Sequence, residues 1–262
     1  MRKNKLLLLI GALLSTCFIK TNSSELPGTK AQDRPKFILI TFLYNETDPI
    51  RIKEYITCLD NNLKQNAIEK IHILYDTTKD AETQNHIIFD FLVGQEKIVV
   101  STMKGRPTYG QCFDLANQLY PNRKIILSNA DIYFNESLYL LEQYDLENKF
   151  LALTRWNLHD DETIRPYYKK KSNGTLEEWP YSQDVWIFKT PLRKFKQDNF
   201  SLGKQGCDLR IAYWAKKSGL CVINPCLSIQ CIHVHFSGIR HYEPLAHPHP
   251  HDMSGTHWSE LY

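Results

Sequence analysis

Between Lys36 and Asp131, apolar runs with strand character alternate with stretches of helical period. Lys36–Leu43 (KFILITFL), Ile68–Tyr75 (IEKIHILY), Lys97–Ser101 (KIVVS) and Lys124–Ser128 (KIILS) are the strands. Arg51–Leu63, Gln84–Leu92 and Tyr109–Tyr120 lie between them. Ile52, Tyr55, Ile56, Leu59 and Leu63 recur at the spacing of one helix face, as do Cys112, Leu115, Ala116 and Leu119. The first strand is apolar without alternation, the mark of a strand covered on both faces. Such a rhythm folds into right-handed βαβ units around a parallel sheet. The expected class is therefore α/β, a mostly parallel twisted sheet with helices on both faces.

After Asp131 the rhythm changes. Phe150–Thr154 and Val185–Lys189 read as strands, separated by a long polar segment holding Trp156, Tyr167, Tyr168 and Trp179. Leu209–Ser218 reads as a helix, and Leu220–Ile223 and Leu227–Phe236 as strands. At the other end, Arg2, Lys3 and Lys5 precede an apolar run from Leu6 to Ile19. That pattern is a signal peptide or signal anchor over residues 1–20. Residues 21–35 form a polar linker or stem. One domain occupies 36–243, and 244–262 is a His/Pro-rich tail. Export places the chain in the secretory pathway or cell envelope, or a Golgi-like lumen if the source is eukaryotic. Membrane contact is expected only through the N-terminal segment, if it stays uncleaved.

A net charge of +3 provides no field for nucleic acid, and none is expected as a partner. Export permits disulfides. Of the six cysteines beyond Cys17, four (Cys207, Cys221, Cys226 and Cys231) crowd the C-terminal third, so one or two bridges are expected there. Cys226, Cys231, His233 and His235 could form a zinc site, but their spacing matches no standard pattern and cysteines on buried strands are the simpler reading. Asn45, Asn135, Asn173 and Asn199 open glycosylation sequons, with Asn173 in the most polar loop.

Ligands of open α/β sheets bind beyond the carboxyl ends of the strands. Asn45, Asp76 and the Asn129-Ala130-Asp131 triplet follow strands there. Asp76 can accept from a ribose or base. Asp131 can reach a divalent cation shared with a diphosphate. Each could instead cap a turn. The loop Gly105–Gly110 carries Arg106 and opens a helix, so it either presents N–H groups and a cation to phosphate or is a plain turn.

These strand-end groups, with Ser128–Phe134, resemble the GT-A-fold glycosyltransferases of the nucleotide-diphospho-sugar transferase superfamily. Leu153–Trp156, Ser182–Phe188, Gly206–Tyr213, Asn224–Ile229 and His233-Val234-His235 are similar to a family 2-like branch. The resemblance spans Lys36–Tyr242. It implies a nucleotide-sugar donor, a carbohydrate or glycoprotein acceptor, and Mn²⁺ or Mg²⁺. The family's Asp-x-Asp becomes Asn129-Ala130-Asp131, so Asp131 keeps the chelating position and Asn129 is left to bind sugar or ribose. His235 is implied as the second metal ligand, with His233 next and facing the same way. Asp208 is implied as the base that takes the acceptor proton, with Asp184 as its competitor and a helix N-cap as the plain alternative for Asp208. Arg155 and Arg240 can neutralise a diphosphate, and Trp156, Trp179 and Trp186 can stack on sugars, although Trp186 reads more simply as core. The competing functions are a nucleotidyltransferase, which lacks its Gly-rich signature here, and a non-catalytic carbohydrate binder on the same fold.

Overall fold

A computed structural model describes residues 36–82, 86–239 and 253–262. The signal or anchor, the stem, Gln84, Arg240 and the histidines of the tail up to His251 lie outside the described residues. No described helix is long and apolar enough to cross a membrane.

The elements in chain order are β1 (Phe37–Tyr44), α1 (Pro49–Lys64), β2 (Ile68–Asp76), α2 (Ile87–Leu92), β3 (Ile98–Met103), α3 (Tyr109–Leu119), β4 (Lys124–Ser128) and β5 (Ile132–Phe134). There follow β6 (Lys149–Leu153), β7 (Trp156–Leu158), β8 (Ile164–Pro166), β9 (Tyr168–Lys170), β10 (Leu176–Glu178), β11 (Val185–Lys189), α4 (Cys207–Lys217), β12 (Cys221–Ile223) and β13 (Cys231–His233). Seven strands form the central sheet in the order β12-β6-β11-β4-β1-β2-β3. Within it only β11 runs antiparallel to its neighbours. The α/β class with a mostly parallel sheet is therefore what the chain adopts. The order reverses between β1 and β4, the position at which open α/β sheets bind ligands.

Alternation along β1 separates the two faces of the sheet. Phe37, Leu39 and Leu43 join one core with Tyr55 and Leu59 of α1 and Ile88 of α2. Ile38, Ile40 and Phe42 join the other, with Tyr109 and Phe113 of α3 and Ile211 of α4. Trp186 lies fully buried in that second core, edge-on to Tyr109 at 5.0 Å, so it packs the interior.

The N-terminus of α3 is closed by its own residues. Thr108 Oγ1 accepts from the Gln111 N–H at 3.2 Å while the Gln111 side chain accepts from the Thr108 N–H at 2.9 Å, a capping box. Gly105 N–H goes to Asp76, Tyr109 N–H to Phe200 O and Gly110 N–H to Asp198 O. The N–H groups of Gly105, Thr108, Tyr109 and Gly110 are thus spent within the chain, as the plain-turn alternative has it. Thr108→Ala should cost about 1 kcal/mol, read as a fall in Tm of roughly 2–4 °C.

The structure decides three further expectations. The six described cysteines beyond Cys17 are free, so no bridge forms among them. Five are buried in packed positions, and Cys221 is exposed on β12. Cys226 and Cys231 do not gather with the histidines as zinc ligands. The C-terminal strand is shorter than Leu227–Phe236, because Pro225–Ile229 turns on itself through Ser228 N–H and Ile229 N–H to Pro225 O.

A four-stranded second sheet, β5-β13-β7-β8, carries His233 at the end of β13, two residues before His235. Residues 253–262 lie along the domain: Trp258 bridges to Asn224, and Ser254 N–H and Thr256 N–H bond Leu209 O and Pro180 O. Asn173 stands exposed in the turn between β9 and β10.

Candidate active site

Asp131 follows β4 and is drawn against β13 by backbone pairing. Val234 N–H bonds Asp131 O at 2.9 Å, and His233 pairs with Ile132 of β5. His233 and His235, two residues apart, bring their rings together at 5.2 Å, stacked within 22°. One donor atom from each of Asp131, His233 and His235 lies within 4.8 Å of the others. The expected pairing of Asp131 with His235 is therefore present in space, and His233 completes it.

The electrostatics favour ligation. His233 Nε2 sits 3.2 Å from Asp131 Oδ2 and Arg51 Nη2 2.8 Å from the same oxygen. Burial opposes ionisation of Asp131, but His233 and Arg51 outweigh it and hold the carboxyl well below the usual carboxylate range. Burial first, then Arg51 and His233, push the His235 imidazole down to about 4. It is neutral at pH 7 and keeps a lone pair. Asp131 Oδ1 is buried without a hydrogen-bond partner. One carboxylate with an open oxygen and two imidazoles make a donor set that can hold a divalent metal ion.

Arg51 and Glu54 are what sequence reasoning missed. They lie on α1, on the buried arc that also holds Tyr55, Cys58 and Asn62. Their signal was the i,i+3 spacing of two charges beside an apolar stripe. Arg51 Nη1 bonds Glu54 at 2.7 Å, and Glu54 Oε1 receives the Ser237 N–H at 2.6 Å, tying α1 to the segment after β13.

A second network runs from β4 toward α4. Asn129 Nδ2 donates to Asp184 Oδ1 at 2.8 Å, and Arg155 Nη1 donates to Asp184 Oδ2 at 2.7 Å. Asp184 thus has both oxygens committed. Asp208 differs. It sits in the first turn of α4, behind the left-handed Gly206 that caps the helix, so the N-cap alternative is corrected. Its Oδ2 accepts the Gln183 N–H at 3.1 Å. Burial is the main cause that pushes its carboxyl up to about 7, and nearby Asp184 adds to it.

The remaining strand-end residues ring the same edge. Asp76 Oδ1 accepts from Thr78 N–H, Thr78 Oγ1 and Gly105 N–H at 2.9, 2.7 and 2.8 Å. Burial works against its ionisation, yet these bonds keep its carboxyl below the ordinary value. Arg106 lies over the Phe42 ring at 5.4 Å. Gly203, at φ +69°, lets Arg106 and Asn129 approach, because a Cβ there would meet them at 2.9 and 3.5 Å. Asn45 is buried, with its amide 3.4 Å from His86. Trp156 donates its indole N–H to Cys226 O at 2.8 Å. A cavity of about 320 Å³ opens beside the histidines, lined by Arg155, Asn157, His159, Asp160, His233 and His235.

No family model and no curated protein matches the sequence. Solved structures do match the fold. The mannosyltransferase PcManGT from Pyrobaculum calidifontis, in complex with GDP-Man and Mn²⁺, aligns over 80% of this chain and 59% of its own, with 13% identity and a TM-score of 0.50. GalNAc-T7 with UDP, GalNAc and Mn²⁺ aligns over 78% of this chain and 44% of its own, with 9% identity and a TM-score of 0.54. The chain spans less than two thirds of either. The fold is that of the GT-A nucleotide-sugar transferases.

Proposed function

We propose that the protein is a glycosyltransferase that moves a sugar from a nucleotide diphosphate donor to a hydroxyl of a carbohydrate or glycoprotein acceptor. The observation that carries this is the Asp131–His233–His235 cluster at the sheet's reversal point, with a buried carboxylate oxygen left open. Asp131, His233 and His235 would hold Mn²⁺ or Mg²⁺. When bound, such an ion offsets charge on a departing diphosphate.

The chain's own groups supply the rest. Asn45, Asp76, Arg106 and Asn129 surround the donor edge, where Asp76 keeps an oxygen for a ribose or base. Arg155, aimed at the cavity by Asp184, neutralises phosphate charge. The Asp208 carboxylate takes the proton of the acceptor hydroxyl as that oxygen bonds the anomeric carbon and the bond to the diphosphate breaks. An exported or anchored chain would do this where donors are available, in a lumen or at a membrane.

The test is the thermal midpoint of the protein with Mn²⁺ or Mg²⁺ and a panel of nucleoside diphosphates. A ligand at 100 times its Kd adds about 2.7 kcal/mol, and at roughly 2–4 °C per kcal/mol the midpoint should rise by several degrees. The rise should need metal and favour one base. A cooperative transition that no nucleotide moves would sink the nucleotide-sugar mechanism.

A further inference from the structure

Two donor atoms of the metal cluster, Asp131 Oδ2 and His235 Nδ1, are already engaged, and the group engaging them is a cation. Arg51 reaches in from α1 and donates from Nη2 to Asp131 Oδ2 at 2.8 Å and from Nη1 to His235 Nδ1 at 2.7 Å. The same Nη1 bonds Glu54 Oε2 at 2.7 Å, and Nε bonds the Tyr55 hydroxyl at 3.1 Å. The guanidinium also lies over the Tyr55 ring at 4.6 Å. A guanidinium only donates and keeps its charge, so His235 must turn a lone pair toward it. A divalent ion ligated by His235 through Nδ1 needs that same lone pair, and one held by the open Asp131 Oδ1 meets the guanidinium charge on Oδ2.

We propose that Arg51 is the resident counter-cation of this site, occupying the metal's ligands in the metal-free protein and competing directly with the ion for Asp131 and His235. The proposal rests on the metal reading above. Two buried carboxylates, Asp131 and Glu54, face each other across this guanidinium. A buried charge left without a partner is strongly destabilising, so these carboxylates require a cation, and Arg51 provides one while keeping the ligands in register. Release needs no movement of the helix. Glu54 is itself fixed by Ser237, through its N–H at 2.6 Å and its hydroxyl at 3.1 Å. It can keep hold of the guanidinium while the fork turns off Asp131 Oδ2 and His235 Nδ1. The freed Nη2 then remains beside the site with its charge available for a diphosphate oxygen.

The consequence is a sign. Removing a group that merely builds the site loosens metal binding, whereas removing a competitor tightens it. Mn²⁺ binding to the full chain, measured without nucleotide by the electron paramagnetic resonance of free Mn²⁺, separates the two. Arg51→Gln should bind Mn²⁺ at least about ten-fold more tightly than wild type, a factor of ten being about 1.4 kcal/mol. Arg51→Lys, which keeps a cation, should stay within about three-fold of wild type, less than half that difference on the same scale. Binding by Arg51→Gln that is equal to or weaker than wild type overturns the proposal and leaves the metal site standing. Binding by neither protein overturns both. Binding by Arg51→Gln alone supports the competition in its strongest form. If Arg51→Gln fails to fold, the charge-balanced Arg51→Gln/Glu54→Gln double variant carries the same measurement, and the same two results decide it.

Discussion

Asp208→Asn is expected to lower kcat by about 10²–10⁴, the usual contribution of a positioned base, while the protein stays folded. Asp208 is the better placed of the two acids on chemical grounds. Asp184 has one oxygen on Asn129 and the other on Arg155, so a proton delivered to it would break an ion pair. Asp208 accepts from backbone N–H groups, those of Gln183, Leu209 and its own, and from no charged partner among the described residues, and burial lifts its carboxyl to about 7, the range in which a base both accepts and releases protons. A base must be ionised to act, so kcat/KM should rise with pH through about 7, and the variant's residual rate should lose that limb.

Stability should move the opposite way. The native carboxyl holds its proton where an unfolded one has lost it, so its contribution to stability falls as pH rises from the ordinary carboxyl value toward 7. Asp208→Asn removes that penalty. Its Tm should match wild type in acid and exceed it by several degrees at pH 8, since each pH unit of displacement is worth about 1.4 kcal/mol and partial exposure screens some of it. A variant that keeps activity within about three-fold, far less than a lost base removes, would shift the role to Asp184.

The first half of the chain was legible because β1, β2 and β4 are buried on both faces. β1 reads as an unbroken apolar run and β2 and β4 carry shorter ones, and the reversal between β1 and β4 directs attention to Asn129 and Asp131. The second half was less so. β5, β7, β8, β9 and β10 have three residues each, too few for any period, and their pairing is set by tertiary contact. Leu227–Phe236 carries enough apolar residues for a strand, yet Pro225–Ile229 closes as a turn. The start of α4 lies two residues before Leu209 because Gly206 caps it in a left-handed conformation, which places Asp208 inside the first turn rather than at the cap. In the Gly105–Gly110 loop, Thr108 with Gln111 is a capping box that closes the start of α3, a pairing the turn alternative allows. Arg51 and Glu54 were hidden differently. Their spacing was visible, but their meaning depends on β13 arriving from the far end of the chain.

That convergence makes Asp131 the residue whose loss should be felt most in stability as well as binding. Asp131→Ala removes the acceptor of Arg51 Nη2 and of His233 Nε2 and leaves the guanidinium short of one buried counter-charge. Breaking a buried pair from one side costs about 3–5 kcal/mol, so Tm in EDTA should fall by roughly 10 °C at about 2–4 °C per kcal/mol. Mn²⁺ binding should vanish with it. Asp131→Asn keeps the shape and an acceptor oxygen, so it should lose the metal equally but recover part of the stability. Adding Arg51→Met to Asp131→Ala removes the stranded cation. The double variant should then be more stable than the sum of the two single losses, with a coupling of about 0.5–3 kcal/mol. Additive losses would mean that the two residues do not compensate one another. Asp131 would then serve the metal alone, and the ion pair seen across the site would contribute nothing to holding α1 against β13.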